Sequence, residues 1–83
     1  MAVYLHQHAK ERLIERGATE AEVIATVEKG ESFPAKFGRT GFRHTFPFNG
    51  IWRSKYFTTK QLEVYAVPEG NDWLVITLIT RYY

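Results

Sequence analysis

The spacing of the apolar residues changes at Gly30, and this change decides the fold class. Before Gly30 the apolar residues recur every three or four positions, which is the period of an amphipathic helix. After Gly30 they alternate with polar residues, which is the period of a half-buried strand. A chain of 83 residues has room for one domain. The pattern predicts a single α+β domain over residues 1–83, in which an N-terminal two-helix hairpin packs on a twisted antiparallel sheet of about four strands.

Both helices have recognisable ends. The first is predicted over residues 5–16, and Gly17 is suited to the left-handed position that follows a helix. The second begins after Thr19, which forms a capping box with Glu22, and it closes at Gly30. The short connection between them predicts an antiparallel pair.

The strands are predicted from alternation and turn residues. A short edge strand contains Pro34, which cannot donate to a central ladder. Asn49-Gly50 predicts a hairpin turn between two further strands. The last strand is apolar on both faces, so we expect it to be central, with helices on one side. The predicted strands cover residues 33–37, 42–46, 52–58, 61–67 and 73–81.

The composition excludes several classes of protein. Without cysteine, neither disulfides nor a thiolate metal site can stabilise the fold. The first residues lack the basic and apolar regions of a signal peptide, and no apolar run approaches the roughly 20 residues that span a membrane. We therefore expect a cytoplasmic protein that does not enter a membrane.

Positive charge is concentrated in the middle of the chain. Between Lys36 and Lys60 there are six cations and no acid, and aromatic residues alternate with them. Charge combined with aromatic stacking surfaces is typical of single-stranded nucleic-acid binding. Alternatively, the rings face the core and the charges face solvent. The candidate RNA-binding residues are Lys36, Arg39, Arg43, Arg53, Lys60 and Arg81.

A second feature lies on the first helix. His8, Arg12 and Arg16 follow one another at four-residue spacing and therefore form a row on one face. Arginine binds phosphate bidentately, and histidine can transfer a proton near neutral pH. Alternatively, the arginines pair with nearby carboxylates and His8 packs.

No metal or other cofactor is predicted. His6 and His8 are too close in sequence to share a helix face, and no acidic residue accompanies them at metal-ligand spacing.

In the last strand Thr77 offers a hydroxyl that could bind a phosphate oxygen, although threonine is also a common strand residue.

The row belongs to a longer motif, His8-Ala9-x-x-Arg12-x-x-x-Arg16-Gly17 followed by Thr19-x-x-Glu22-Val23. Over about residues 6–30 this motif resembles the opening of a small bacterial family related to the BrnT toxins, within the wider RelE/ParE-like and colicin-type ribonuclease group. Beyond residue 30 the resemblance is one of architecture. It implies a metal-independent endoribonuclease toxin, in which a ribose 2′-hydroxyl attacks the adjacent phosphate, and a partner antitoxin.

The resemblance also suggests roles for individual residues. His8 would be the general base or acid, and Arg12 and Arg16 would hold the phosphate or stabilise its transition state. Lys55 or Arg53 would add a cation from the sheet, and Thr77 a hydrogen bond to phosphate.

Two alternatives to an enzyme remain. The same fold could be a non-catalytic module that binds nucleic acid or an acidic protein through its basic residues, or a structural partner without a nucleic-acid role. Convergence of His8, Arg12, Arg16 and Lys55 in one positive groove would favour the enzyme, whereas scatter of these four residues would favour the binding module.

Overall fold

The computed structural model describes all residues, Met1–Tyr83, as two helices and five strands. In chain order these are β1 (Val3–Leu5), α1 (Gln7–Arg16), α2 (Glu20–Lys29), β2 (Glu31–Pro34), β3 (Thr40–Trp52), β4 (Lys55–Glu69) and β5 (Asp72–Tyr82). The predicted α+β class with two N-terminal helices is confirmed, but the sheet has five strands and not about four.

Helix α1 begins later than predicted. The Nδ1 atom of His6 accepts the backbone N–H of His8 at 3.1 Å and caps the helix. Leu5, predicted to begin the helix, instead ends β1 (Val3–Leu5), which pairs in parallel with β5. The sheet is therefore mixed and not fully antiparallel. At the other end α1 stops at Gly17, whose φ of 68° is left-handed as expected.

Helix α2 has the predicted capping box. The Thr19 hydroxyl accepts the Glu22 backbone N–H at 3.2 Å, and the Glu22 carboxylate accepts the Thr19 N–H at 2.9 Å. The helix ends at Gly30, where a Cβ atom would lie only 2.6 Å from the carbonyl oxygen of Arg43. This close approach ties the end of α2 to β3.

The sheet has the strand order β1-β5-β4-β3-β2, and all pairs except β1–β5 are antiparallel. Strands β3 and β4 form a long hairpin that turns at Arg53-Ser54, both with positive φ. The turn predicted at Asn49-Gly50 is therefore wrong. Those residues lie inside β3, where the pairing register shifts between Pro47 and Gly50.

One core joins the helices to the sheet. Ala9 of α1 and Val23 of α2 pack with Leu62 and Val64 of β4. Side chains alternate along a strand, so Glu63 lies on the opposite side of the sheet. We call the side under the helices the helix face and the other side the open face. Neither helix is long and apolar enough to cross a membrane. The buried apolar residues are Leu5, Ala9, Val23, Val27, Phe42, Leu62, Val64, Ala66, Val75 and Leu78.

Candidate nucleic-acid interface

The open face holds a buried carboxylate, that of Glu63, which is only 6% exposed. Its Oε2 atom accepts Nε of Arg43 at 3.1 Å and Nη1 of Arg81 at 2.5 Å, and its Oε1 atom accepts the Tyr65 hydroxyl at 2.8 Å. The strand register brings these side chains together, because Arg43 is paired directly with Glu63 and Arg81 with the nearby Gln61 on the same strand. We call Arg43, Glu63, Tyr65 and Arg81 the Glu63 cluster.

The Glu63 cluster carries more positive than negative charge. Two guanidinium groups share one buried carboxylate, and the side chains of Arg43 and Arg81 are still 38% and 52% exposed. A guanidinium has five N–H donors, so each arginine keeps donors that Glu63 does not use. The other acid beside the cluster is Glu31, which is well exposed. Its Oε1 atom lies 3.9 Å from Nη1 of Arg43. The cluster can therefore offer charged donors to an anion such as phosphate.

The protonation states in the cluster follow from its contacts. Burial acts to raise the pKa of Glu63, but the hydrogen bonds from Tyr65 and Arg43 and the charges of Arg81 and Arg43 outweigh it, so this pKa is lowered. Burial and the neighbouring Glu63 raise the pKa of Tyr65. At neutral pH, Glu63 is thus ionised and Tyr65 is a neutral phenol that donates.

A cavity of about 400 Å³ adjoins the cluster. It is lined by Phe33, Tyr65, Thr77 and residues of the loop 35–39. The guanidinium carbon of Arg43 lies 4.6 Å from the centre of the Phe33 ring, and the rings of Phe33 and Tyr65 meet edge to face at 6.2 Å. The cavity and the Glu63 cluster therefore form one continuous surface.

Five of the residues predicted from the sequence lie together on this surface. Lys36, Arg39 and Thr77 line the cavity, while Arg43 and Arg81 belong to the cluster. Four cations here face two acids, Glu63 and Glu31, and four minus two leaves a charge of +2. The open face is therefore a basic surface with aromatic rings, which suits single-stranded nucleic acid.

The row on α1 lies elsewhere. His8 is exposed on the first turn, and Arg12 pairs with Glu15 of the same helix at 2.5 Å. The side chain of Arg16 is half-buried, and its Nε atom is buried without a hydrogen-bond partner. Helix α1 packs on β5 from the helix face, so the row is separated from Thr77 by the sheet.

Lys55 is also distant from the Glu63 cluster. It is exposed at the tip of the β3–β4 hairpin, where it pairs with Trp52, and its Nζ atom is 5.7 Å from the Phe57 ring. The structure therefore does not bring the five predicted catalytic residues to one place. Of these five, only Thr77 lines the cavity beside the Glu63 cluster.

Two predicted RNA-binding cations contact the end of α1. Nζ of Lys60 donates to the Gly17 carbonyl at 2.5 Å and to the Glu22 carboxylate at 2.8 Å, and the residue is 4% exposed. Nη2 of Arg53 donates to the Glu15 carbonyl at 3.3 Å. The carbonyl groups at the end of a helix lack intrahelical partners and carry partial negative charge. Lys60 and Arg53 therefore attach the end of α1 to the sheet.

The same helix end is held by β5. The hydroxyl groups of Thr80 and Tyr82 each donate to the Arg16 carbonyl at 2.9 Å. The Tyr82 ring stacks on Trp52, with centroids 4.9 Å apart. A Cβ at Gly17 would collide with the Trp52 ring, so glycine is needed there for packing as well as for its left-handed backbone.

The residues that the sequence analysis missed are Glu63, Tyr65 and Phe33. Glu63 is the only acid between positions 32 and 68, and it stands between the two core residues Leu62 and Val64. An isolated acid in a strand of buried residues, within a chain rich in arginine, was the available signal. Its partners could not be read in the same way, because they depend on strand register.

No three histidine, aspartate or glutamate side chains lie close enough to hold a metal ion together. Comparison of the chain with protein-family models, with curated proteins and with solved structures found no match.

Proposed function

We propose that this chain is a metal-independent endoribonuclease of the RelE/BrnT type that holds single-stranded RNA on the open face of its sheet. The observation that carries the proposal is the Glu63 cluster. Two partly exposed guanidinium groups are fixed side by side by a carboxylate that is itself buried. Pre-positioned charges of this kind stabilise a transition state without reorganising during the reaction.

The reaction is a transesterification within the RNA. The ribose 2′-oxygen forms a bond to the adjacent phosphorus, the bond from phosphorus to the 5′-oxygen breaks, and a 2′,3′-cyclic phosphate results. Arg43 and Arg81 bind the non-bridging oxygens, whose negative charge grows in the transition state. Solvent water takes the 2′-hydroxyl proton and supplies a proton to the leaving 5′-oxygen, because the Glu63 carboxylate is buried and already accepts from Arg43, Arg81 and Tyr65.

A second candidate is RNA binding without cleavage. It is favoured by the lowered pKa of Glu63, because a carboxylate that is a weak acceptor of protons is a weak general base. It is also favoured by the scatter of the predicted catalytic residues, because His8, Arg12 and Arg16 lie on α1 and Lys55 lies at the tip of the β3–β4 hairpin. Under this candidate the same arginines hold phosphate, and no bond is broken.

Cleavage of an unstructured RNA in the presence of EDTA separates the two candidates. We expect products that end in a 2′,3′-cyclic phosphate, and a loss of rate of about 100-fold or more in Arg43→Ala and in Arg81→Ala, by analogy with removal of one transition-state donor. Lys10→Ala, an exposed cation on α1, is the matched control and should keep full activity.

The His8→Ala variant tests the location of the chemistry. It should retain activity if the Glu63 cluster performs the reaction. A loss in His8→Ala equal to that in Arg81→Ala would instead place the reaction on α1. Binding of RNA that is weakened by Arg43→Ala, with no cleavage by the wild-type chain, would leave the binding candidate.

Because the α1 motif resembles that of the BrnT-related toxin family, the proposal also includes a toxin role in the cell. As a toxin of this type the chain would act in the cytoplasm, and an antitoxin protein would cover the open face. Expression of the wild-type chain should then arrest growth, while expression of Arg81→Ala at the same level should not. Equal growth with both would contradict a toxin role.

A further inference from the structure

Two backbone hydrogen bonds close the loop that forms the outer wall of the cavity. The backbone N–H of Ala35 donates to the Arg39 carbonyl at 3.0 Å, and the N–H of Arg39 donates to the Lys36 carbonyl at 3.3 Å. These two bonds fix the loop 35–39 between β2 and β3. The wall is thus in place before any ligand binds, which reduces the entropy lost on binding.

Phe37, in this loop, has a backbone conformation that is unfavourable for a residue with a large side chain. Its φ of 62° is left-handed, a region that bulky side chains rarely adopt, and the next residue, Gly38, is left-handed too. Phe37 is also 85% exposed, so its ring gains little from burial. Glycine would meet the backbone requirement better. Within the folded chain the ring has one charged neighbour, the Arg39 guanidinium, and little burial to offset this backbone strain.

The chemistry of the cavity indicates a ligand that is flat and also anionic. Aromatic rings of Phe33, Phe37 and Tyr65 border the space. The guanidinium of Arg39 lies 5.7 Å from the centre of the Phe37 ring, and Lys36 adds a second cation. The volume of about 400 Å³ is within the range of small-ligand sites. Rings that stack a base beside cations that meet its phosphates are the usual means of holding a single strand.

We infer that this cavity is a base-binding subsite, which receives one unpaired nucleobase next to the phosphate held by Arg43 and Arg81. The Phe33 ring links the two parts, because it lines the cavity and also lies under the Arg43 guanidinium. Phe37 stacks on the base from the outer side. This inference rests on the proposed RNA-binding function and adds the recognised element, an unstacked base.

A binding experiment tests the subsite separately from cleavage. The probe is a labelled hexanucleotide with 2′-O-methyl sugars, which cannot be cleaved because the 2′-oxygen is blocked. It is compared with an abasic strand of the same length, by fluorescence anisotropy at low salt. The wild-type chain should bind the strand with bases about tenfold more tightly than the abasic strand, within the range of base–aromatic stacking.

Phe37→Gly should lose this tenfold preference and bind the two strands about equally. Its thermal unfolding midpoint should equal or exceed that of the wild type, because glycine suits the left-handed backbone. Tyr56→Ala removes another exposed ring, on the β3–β4 hairpin, and should keep the preference.

Each other result overturns the inference. Equal wild-type affinity for both strands, or an unchanged preference in Phe37→Gly, removes the base subsite and leaves phosphate binding. A loss of preference in Tyr56→Ala shows stacking elsewhere. A lower unfolding midpoint in Phe37→Gly shows that the ring supports the fold. Failure of the wild-type chain to bind either strand overturns the proposed function as well.

Discussion

At the scale of single residues, the carboxylate of Glu63 balances two guanidinium groups on the open face. We expect Glu63→Gln, which keeps the shape but removes the charge, to lower the free energy of unfolding at pH 7 by about 1.5–3 kcal/mol, as for other hydrogen bonds to charged groups. Urea denaturation measures the change. Glu28→Gln, an exposed acid outside any ion pair, should stay within about 0.5 kcal/mol of the wild type.

The effect of Glu63 should depend on pH. Its pKa in the folded chain is below the usual value of 4.5, so the folded state favours the ionised form. The stability that this group adds is complete above the unfolded pKa and is lost as the pH falls through the lower folded pKa. The stability difference between wild type and Glu63→Gln should therefore shrink below about pH 4.5, near the reference pKa. A difference that grows on acidification would contradict this linkage.

Two lysines of the basic segment should differ in how strongly their replacement by methionine changes the stability of the fold. Lys60→Met keeps the aliphatic stem but removes the contacts with Gly17 and Glu22, so it should destabilise the fold by about 1–3 kcal/mol. Lys55→Met, at the exposed hairpin tip, should change stability by less than about 0.5 kcal/mol. Equal effects in chemical denaturation would show that Lys60 does not support α1.

The different roles of these lysines explain how far the site could be predicted. The excess of cations was visible in the sequence because charge is counted without knowing the fold. The destination of each cation was not visible. Lys60 lies on the helix face and Arg43 on the open face because of the register of β4 and β3. A shift of one residue in pairing would exchange those faces.

At the scale of the elements, the ends of α1 and α2 could be predicted because their signals are local. The capping box of Thr19 and Glu22 and the left-handed Gly17 each need only a few neighbouring residues. β1 was missed because its partner, β5, lies about 70 residues further along the chain. No local signal reports such a pairing.

In the β3–β4 hairpin, packing of the core outweighs the turn preference of Asn49-Gly50. A turn at Asn49-Gly50 would place Phe42 opposite residue 57. The observed turn at Arg53-Ser54, with the irregular pairing near Pro47, places Phe42 opposite Val64, and both are buried in the core. The free energy of burying large apolar side chains exceeds the preference of one turn sequence.

The observed turn can be improved. Ser54 has a φ of 68°, which costs free energy for any residue with a Cβ atom. Ser54→Gly should therefore raise the free energy of unfolding by about 0.5–1 kcal/mol. Ser32→Gly, inside β2, is the control and should lower it by a similar amount. A destabilised Ser54→Gly variant in urea denaturation would contradict the left-handed turn.

At the scale of the whole molecule, the sheet separates two sets of positive charges. On one side Lys60 donates to the Gly17 carbonyl at the end of α1 and to the carboxylate of Glu22 in α2. On the other side Arg43 and Arg81 share a single carboxylate and keep free donors. The net charge of +2 for the whole chain conceals this division. The polar groups at a helix end must be satisfied, so the cations that meet them are not available to a ligand.

This division predicts how RNA binding depends on salt. Binding of a single strand releases about 0.7 counterions for each phosphate that a cation neutralises, so the logarithm of the affinity falls with the logarithm of salt concentration. Arg81→Ala should reduce that slope by about 0.7. Lys29→Ala removes the same charge from the exposed end of α2 and should leave the slope unchanged. Anisotropy titrations of the 2′-O-methyl strand between 50 and 200 mM salt, roughly the range over which such slopes are resolved, measure both. Equal reductions would mean that RNA responds to the total charge of the molecule, and the open face would lose its special role.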